Sequence, residues 1–356
     1  MKPAAIASLT LFAVLAWCSG PARAQTSGAQ PATSNPPAAS APAAVAAHPP
    51  VVLTPQYRPG EVLDYQVTSR TQSKSLVGGA VENPQGAAEL GITVGMRLRL
   101  EVLPPVPSTA PQANQPPQAA GAEAGGVNRP PLRLRATYEQ VAASLTGDSY
   151  DPEAVKLLAQ YKGLEGRSIE FQLGPHGEVE YMRGLEEILK DERALEAARA
   201  WLQQLGAGLD APASGVVPGQ SWERTQAVPG APLNGTELQS TSKYLRDEPC
   251  DMEHPAGDAC AVVLMRYALG QKPGDKNLTP ESFKKNGLRT SGAWTSHGES
   301  LIYVSLRTGR TVSVTQTSEE VMDLSISHAD GGIPFRYAGH SRSETHLLLL
   351  DEGPKG

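Results

Sequence analysis

The chain has 356 residues, a formal net charge of −6, 40% hydrophobic residues and only 5% aromatic ones. The negative balance repels phosphate backbones and anionic membrane surfaces, so nucleic-acid binding and membrane adsorption are not expected. Beyond the first 24 residues no stretch reaches the roughly 20 apolar residues of a membrane helix.

At the N-terminus, Lys2 precedes an apolar run from Ala4 to Trp17, then a Gly-Pro break and Ala22-Arg23-Ala24. A basic start, a short apolar core and a small-x-small end predict a secretory signal peptide over 1–24, with the mature chain starting at Gln25. Its removal leaves 29 bases against 37 acids, a net charge of −8. The expected location is periplasmic or secreted. Leu15-Ala16-Trp17-Cys18 offers the alternative of a lipid anchor on Cys18. Trp17 speaks against it, because a bulky indole stands where a lipoprotein signal has a small residue.

Residues 25–52 are Ala, Pro, Ser, Gln and Thr with almost no large apolar side chain. Such a stretch buries too little surface to offset its ordering entropy and reads as a disordered tether. Residues 53–356 read as a single β-rich domain. Tyr57-Arg58-Pro59-Gly60 is a turn signal. Leu63, Tyr65 and Val67 then alternate with polar residues. Leu90, Ile92, Val94, Met96, Leu98, Leu100 and Val102 occupy every second position, a period that fits a strand and not a helix. The Pro/Gly/Ala/Gln segment at about 104–131 reads as a disordered insert in a hairpin loop. Leu132, Leu134, Ala136 and Tyr138 resume the alternation beyond it.

Two helices are predicted. Asp151-Pro152-Glu153 leads into Ala154–Tyr161 with an N-cap and a proline at the first helical position. The second runs from Leu185 to Leu205 on a stripe of Leu185, Ile188, Leu189, Leu195, Ala198, Leu202 and Leu205, ended by Gly206. Between them, Ile169, Phe171 and Leu173 pair with Val179 and Tyr181 across Gly174-Pro175-His176-Gly177. From Gln220 on, strands are predicted over 220–226, 236–246, 260–269, 290–296, 299–307, 310–317, 320–328 and 342–350. Thr308-Gly309 is a turn signal, and Thr279-Pro280-Glu281 opens a short helical turn.

Cys18 lies in the signal, so the mature chain keeps Cys250 and Cys260. In an exported chain this pair predicts a disulfide, and Pro255 and Gly257 suit the loop it closes. No CxxC or partnered histidine supports a metal or redox pair.

About twelve strands at ~4.8 Å would make a sheet over ~50 Å wide, which two helices cannot roof. The expected fold class is mainly β with minor α: a strongly curved antiparallel sheet or half-barrel with two helices packed in the hollow. The order of export signal, strands, helices and strand meander, with the phrases Gly174-Pro175-His176-Gly177-Glu178-Val179 and Pro218-Gly219-Gln220-Ser221-Trp222, resembles the periplasmic lipoprotein-carrier (LolA-like) superfamily. The same phrases resemble secreted bacterial proteins of unknown role. The carrier resemblance implies a hollow for acyl chains or a lipidated partner. It transfers no binding residue.

Local chemistry is sparse. Trp294-Thr295-Ser296-His297-Gly298 approaches a nucleophile elbow, but Trp294 stands where glycine is needed and strand-like Leu301–Leu306 follows where a helix should, so a strand-to-strand turn is the better account. His48, His176, His254, His297, His328, His340 and His346 form neither HxxxH nor HExxH, so no metal site is assigned. His328 falls in phase with Met322, Leu324 and Ile326. The acid pairs Glu186-Glu187, Asp191-Glu192 and Glu319-Glu320 show no facing-carboxylate geometry by sequence alone. Lys272, Lys276, Lys284, Lys285 and Arg289 read as a solvated loop. No phosphate-cradling loop is present, and no catalytic, cofactor or ligand-binding residue is assigned. The expectation is an exported, non-enzymatic binding or carrier protein of the cell envelope, for a hydrophobic ligand, a lipid or a lipidated envelope protein. The alternatives are a structural or assembly component of the envelope and a hydrolase with a non-local site. The outer-membrane barrel is disfavoured by the helices and the few aromatics.

Overall fold

A computed structural model describes residues 48–79, 86–105, 132–147, 152–174, 179–187, 198–199, 201–202, 205–206, 208–209, 211–228, 231–272 and 278–354. The signal peptide, Cys18, most of the tether, the insert at 106–131, His176, Asp191-Glu192 and Lys276 lie outside them.

Eleven strands dominate: β1 (Glu61–Gly79), β2 (Ala88–Leu103), β3 (Leu132–Gly147), β4 (Ser168–Leu173), β5 (Val179–Arg183), β6 (Ser221–Ala227), β7 (Thr236–Pro249), β8 (Ala259–Gln271), β9 (Leu288–Ser305), β10 (Thr311–His328) and β11 (Phe335–Pro354). Two helices fully within the described residues accompany them, α1 (Pro152–Lys162) and α2 (Glu281–Lys285). The mainly β class is as the alternation implies. All strands belong to one antiparallel sheet in the order β5-β4-β3-β2-β1-β11-β10-β9-β8-β7-β6. It is open, not closed into a barrel.

The sheet is two meanders joined back to back. β1 pairs with β11 along its whole length, from Glu61 opposite Pro354 to Gly79 opposite Phe335. The chain between β5 and β6 therefore travels from one edge of the sheet to the other. Its described residues pack on one face. Leu185 and Leu202 are buried against β1–β5, and Leu209, Ala211 and Val216 pack with residues of β7–β10. The N-terminal segment is docked beside it. Val51 and Val216 exchange backbone hydrogen bonds of 2.8 and 2.9 Å. Arg310, 3% exposed, donates to the Gln56 carbonyl at 2.9 Å and to Glu61 at 2.5 Å. His48–Val52, which composition places in the tether, thus belong to the folded part.

Alternation divides each strand between this covered inner face and a solvated outer face. Odd positions of β1 and even positions of β2 point inward, so Leu63, Tyr65, Leu98 and Leu100 are buried. With Leu134, Ile169 and Phe171 they form the core of the β1–β5 half. A second cluster joins Tyr244, Val263, Ile302 and Val304 to Leu53 and Val216. A third lies toward the other ends of β9–β11, where Trp294, Met322, Leu324 and Tyr337 meet Phe283 of α2.

Four expectations are corrected. The predicted strands 290–296 and 299–307 are one strand, β9, and 310–317 and 320–328 are one strand, β10. Ser296-His297-Gly298 has turn chemistry, but Gly298 sits opposite Tyr267 and Ser318 in mid-sheet. A Cβ on Gly298 would lie 2.5 Å from the Tyr267 ring, so glycine there admits the ring and does not turn the chain. Predicted strand 342–350 extends to the twenty residues of β11. The second helix does not begin at Leu185, because 184–187 form a bend and turn; residues 198–199, 201–202 and 205–206 are helical. The hairpins β2–β3 and β4–β5, helix α1 and the short α2 after Pro280 lie where the patterns put them.

Candidate binding site on the inner sheet face

The predicted disulfide is formed: Cys250 and Cys260 are bonded with their Cα atoms 4.9 Å apart. It closes the loop between β7 and β8, where His254 binds Asp251 at 2.7 Å. This is a structural staple remote from the inner face.

The nucleophile-elbow motif is not built. Ser296 lies within β9 and points inward, while His297, its neighbour in an extended strand, points outward. The histidines do converge, although not with Ser296. On the outer face His340 contacts Glu319 at 2.6 Å and His297 approaches it at 3.8 Å, with Arg342 at 3.5 Å. The His340 hydrogen bond, aided by Arg342, holds the Glu319 carboxyl below the ordinary glutamate range. His346 pairs with Glu344 at 2.9 Å, and His48 with Asp247 at 2.8 Å. His328 is exposed at the end of β10. No group of three His, Cys, Asp or Glu with metal-holding geometry occurs among the described residues. Glu186 and Glu187 are exposed after β5, and Lys272 and Lys284 face Glu237 and Glu281 in solvent.

Glu320, by contrast, is an acid on the inner face. It is 6% exposed. Its cross-strand neighbours are Ser296 on β9 and Ser341 on β11. Gly298 and Trp294 lie diagonally on β9, Gly339 and Ser343 diagonally on β11, and Ser318 and Met322 along β10. The floor around this carboxyl is therefore made almost wholly of serine and glycine. Two tyrosine rings lie over the glycines: Tyr267 over Gly298, and Tyr337 over Gly339, where an added Cβ would sit 2.7 Å from the ring.

The small polar residues continue across neighbouring strands. Thr71 on β1 bonds Ser343 at 3.1 Å, Ser69 bonds Thr345 at 3.1 Å, and Gln316 donates to the Tyr267 hydroxyl at 3.1 Å. Ser300, Ser341, Thr345, Gln316 and Thr71 are all buried. The result is a polar trough running across the strands. On β10 it extends from Gln316 to Glu320, about 14 Å at ~3.4 Å per residue, between Val314 and Met322. Apolar clusters border it at both ends.

Most trough hydroxyls are paired, but three buried polar atoms are not: Glu320 Oε1, Trp294 Nε1 and Ser300 Oγ have no hydrogen-bond partner. Burial pushes the Glu320 carboxyl up to about 7; the nearby Trp294 indole offsets only part of this. The indole N–H leans toward the carboxyl without reaching hydrogen-bond geometry. An unpartnered buried carboxyl is the most costly side chain on this face. Sequence patterning contains a signal for it. Glu320 shares the even phase of Val314, Met322, Leu324 and Ile326, where an acid is out of character.

No family model matches the sequence, LolA-like carriers included, and comparison with curated proteins gives no match. Among solved structures, one described as "Lipid-protein interactions in lipovitellin" is similar over 85% of this chain and 26% of that one, at 11% identity and a TM-score of 0.33. This chain thus spans about a quarter of that protein's length, at 26%.

Proposed function

We propose that the protein is an exported, non-enzymatic binding protein of the cell envelope that carries an amphiphile on the inner face of its sheet. One observation carries this reading: the buried Glu320 carboxyl, whose Oε1 has no hydrogen-bond partner, stands in a polar trough bordered at both ends by apolar clusters. A face built for stability alone would continue Val, Ile and Leu through the middle of β1, β10 and β11. A face that receives a ligand with a polar head and an apolar body needs both kinds of surface side by side. The formed disulfide agrees with export, as does the finding that no described helix is long and apolar enough to cross a membrane.

Native mass spectrometry tests the reading. The full chain, expressed with its signal and purified from the envelope without detergent, is expected to carry a stoichiometric guest that organic solvent removes. A guest-free protein that also fails to take up added long-chain amphiphiles contradicts it.

A further inference from the structure

We propose that Glu320 is the anchor for a primary ammonium head group, and that the amphiphile carried on the inner face is therefore amine-headed. This rests on the binding-protein reading above and names the chemistry of the same site.

Charge complementarity points to a cation. Ser296, Gly298, Trp294 and Tyr267 face it from the β8–β9 side, and Ser341, Gly339 and Tyr337 from the β11 side. None of these is a base. The described ionisable groups sharing the face include the tyrosines, His328, Arg224 and, at the far end of β1, Glu61 with its partner Arg310. His328 is eight residues along β10, about 27 Å away, and Arg224 is four strands away on β6, about 19 Å. Among the described residues none supplies a counter-charge at the trough.

Hydrogen bonding narrows the cation to a primary amine. An –NH₃⁺ group has three donors and no acceptor. Around Glu320 the floor offers acceptors: the free Oε1 and the hydroxyl oxygens of Ser296 and Ser341. A quaternary ammonium has no N–H to give them. The Tyr267 and Tyr337 rings rest on Gly298 and Gly339, two of the four diagonal neighbours of Glu320. The tail then lies on the apolar cluster around Met322 and Leu324.

Ionisation ties binding to pH. An alkyl amine, like lysine, stays charged to about pH 10. Glu320, raised to about 7, accepts a cation only once its proton has left. Amine affinity is therefore expected to fall about tenfold per pH unit below that point, whereas an uncharged head group has no such dependence.

The test is calorimetric titration of the full chain with dodecylamine, dodecanol and dodecyltrimethylammonium, each below its micellar concentration, at pH 8 and pH 5. Dodecylamine is expected to bind at least tenfold tighter than the other two at pH 8. That preference is expected to collapse toward one at pH 5 and in Glu320→Gln at pH 8. Equal binding of dodecylamine and dodecanol by the native chain at pH 8 overturns the ammonium assignment and leaves the binding-protein reading in place. So does an amine preference that persists in Glu320→Gln. Failure of every probe to bind overturns both. The pH profile of the native chain decides the matter without a variant, should Glu320→Gln fold poorly.

Discussion

Two stretches of the same strand carry opposite chemistry on the same face. At one end of β1, Leu63, Tyr65 and Val67 point inward; a few residues on, Ser69, Thr71 and Ser73 do. The first stretch meets Leu100, Leu98 and Met96 on β2, the core of a stable half-sheet. The second meets Thr345, Ser343 and Ser341 on β11 and leads, one strand further, to Glu320. The first stretch is buried and the second buried at Thr71 and half-buried at Ser69 and Ser73, yet only the first is stabilised by burial. Apolar area leaving water contributes about 25 cal/mol per Å², whereas a buried hydroxyl roughly breaks even when paired and costs when unpaired. The contrast separates the part of the inner face that holds the fold from the part that the fold carries at a cost.

Truncation should divide the two stretches most sharply. Leu100→Ala, at a fully buried position, is expected to lose roughly 2–5 kcal/mol in urea unfolding. A loss below ~1 kcal/mol would mean that the β1–β2 end is not the stabilising core.

Glu320→Gln should act in the opposite direction, by an amount that grows from about pH 4.5 and is complete above pH 7. Between about pH 4.5 and pH 7 the folded protein holds a proton on Glu320 that the unfolded chain has released. Stability therefore falls as pH rises through that window. Displacement from 4.5 to about 7 corresponds to about 3 kcal/mol at pH 8. The variant is expected to match the native protein near pH 4 and to exceed it by up to about that amount at pH 8. A variant equally or less stable at pH 8 would place Glu320 in a solvated or paired environment.

The smallest effects belong to the paired hydroxyls. Ser343→Ala orphans the Thr71 hydroxyl and should cost about 1 kcal/mol, while Thr71→Val with Ser343→Ala should be close to neutral in thermal unfolding. A large loss in the double variant would make the trough a stabilising network after all.

The fold class was legible because alternation is a local signal. Leu90 to Val102 names its own strand and face, and Cys250 and Cys260 name their bond. The pairing of β1 with β11 was not, since nothing local tells the first strand to seek the last. Reading Ser296-His297-Gly298 as a turn had the largest consequence. It split β9, and the parallel break at Ser318-Glu319 split β10, so Glu320 stood at a strand end and not in the middle of an inner face. Joined to Met322, Leu324 and Ile326 as one register, it becomes the exceptional residue of the sheet. The meeting of His297 and His340 at Glu319 is likewise a product of register across β9, β10 and β11. Chain spacing does not encode it.

The central claim concerns one carboxyl, and carbon-13 NMR of glutamate-labelled protein reads it directly. In the ligand-free chain the Glu320 resonance, assigned by its loss in Glu320→Gln, is expected to titrate at about pH 7 and to move to lower pH when dodecylamine is added. A Glu320 carboxyl that titrates near 4.5 in the free protein and ignores the amine would contradict the account.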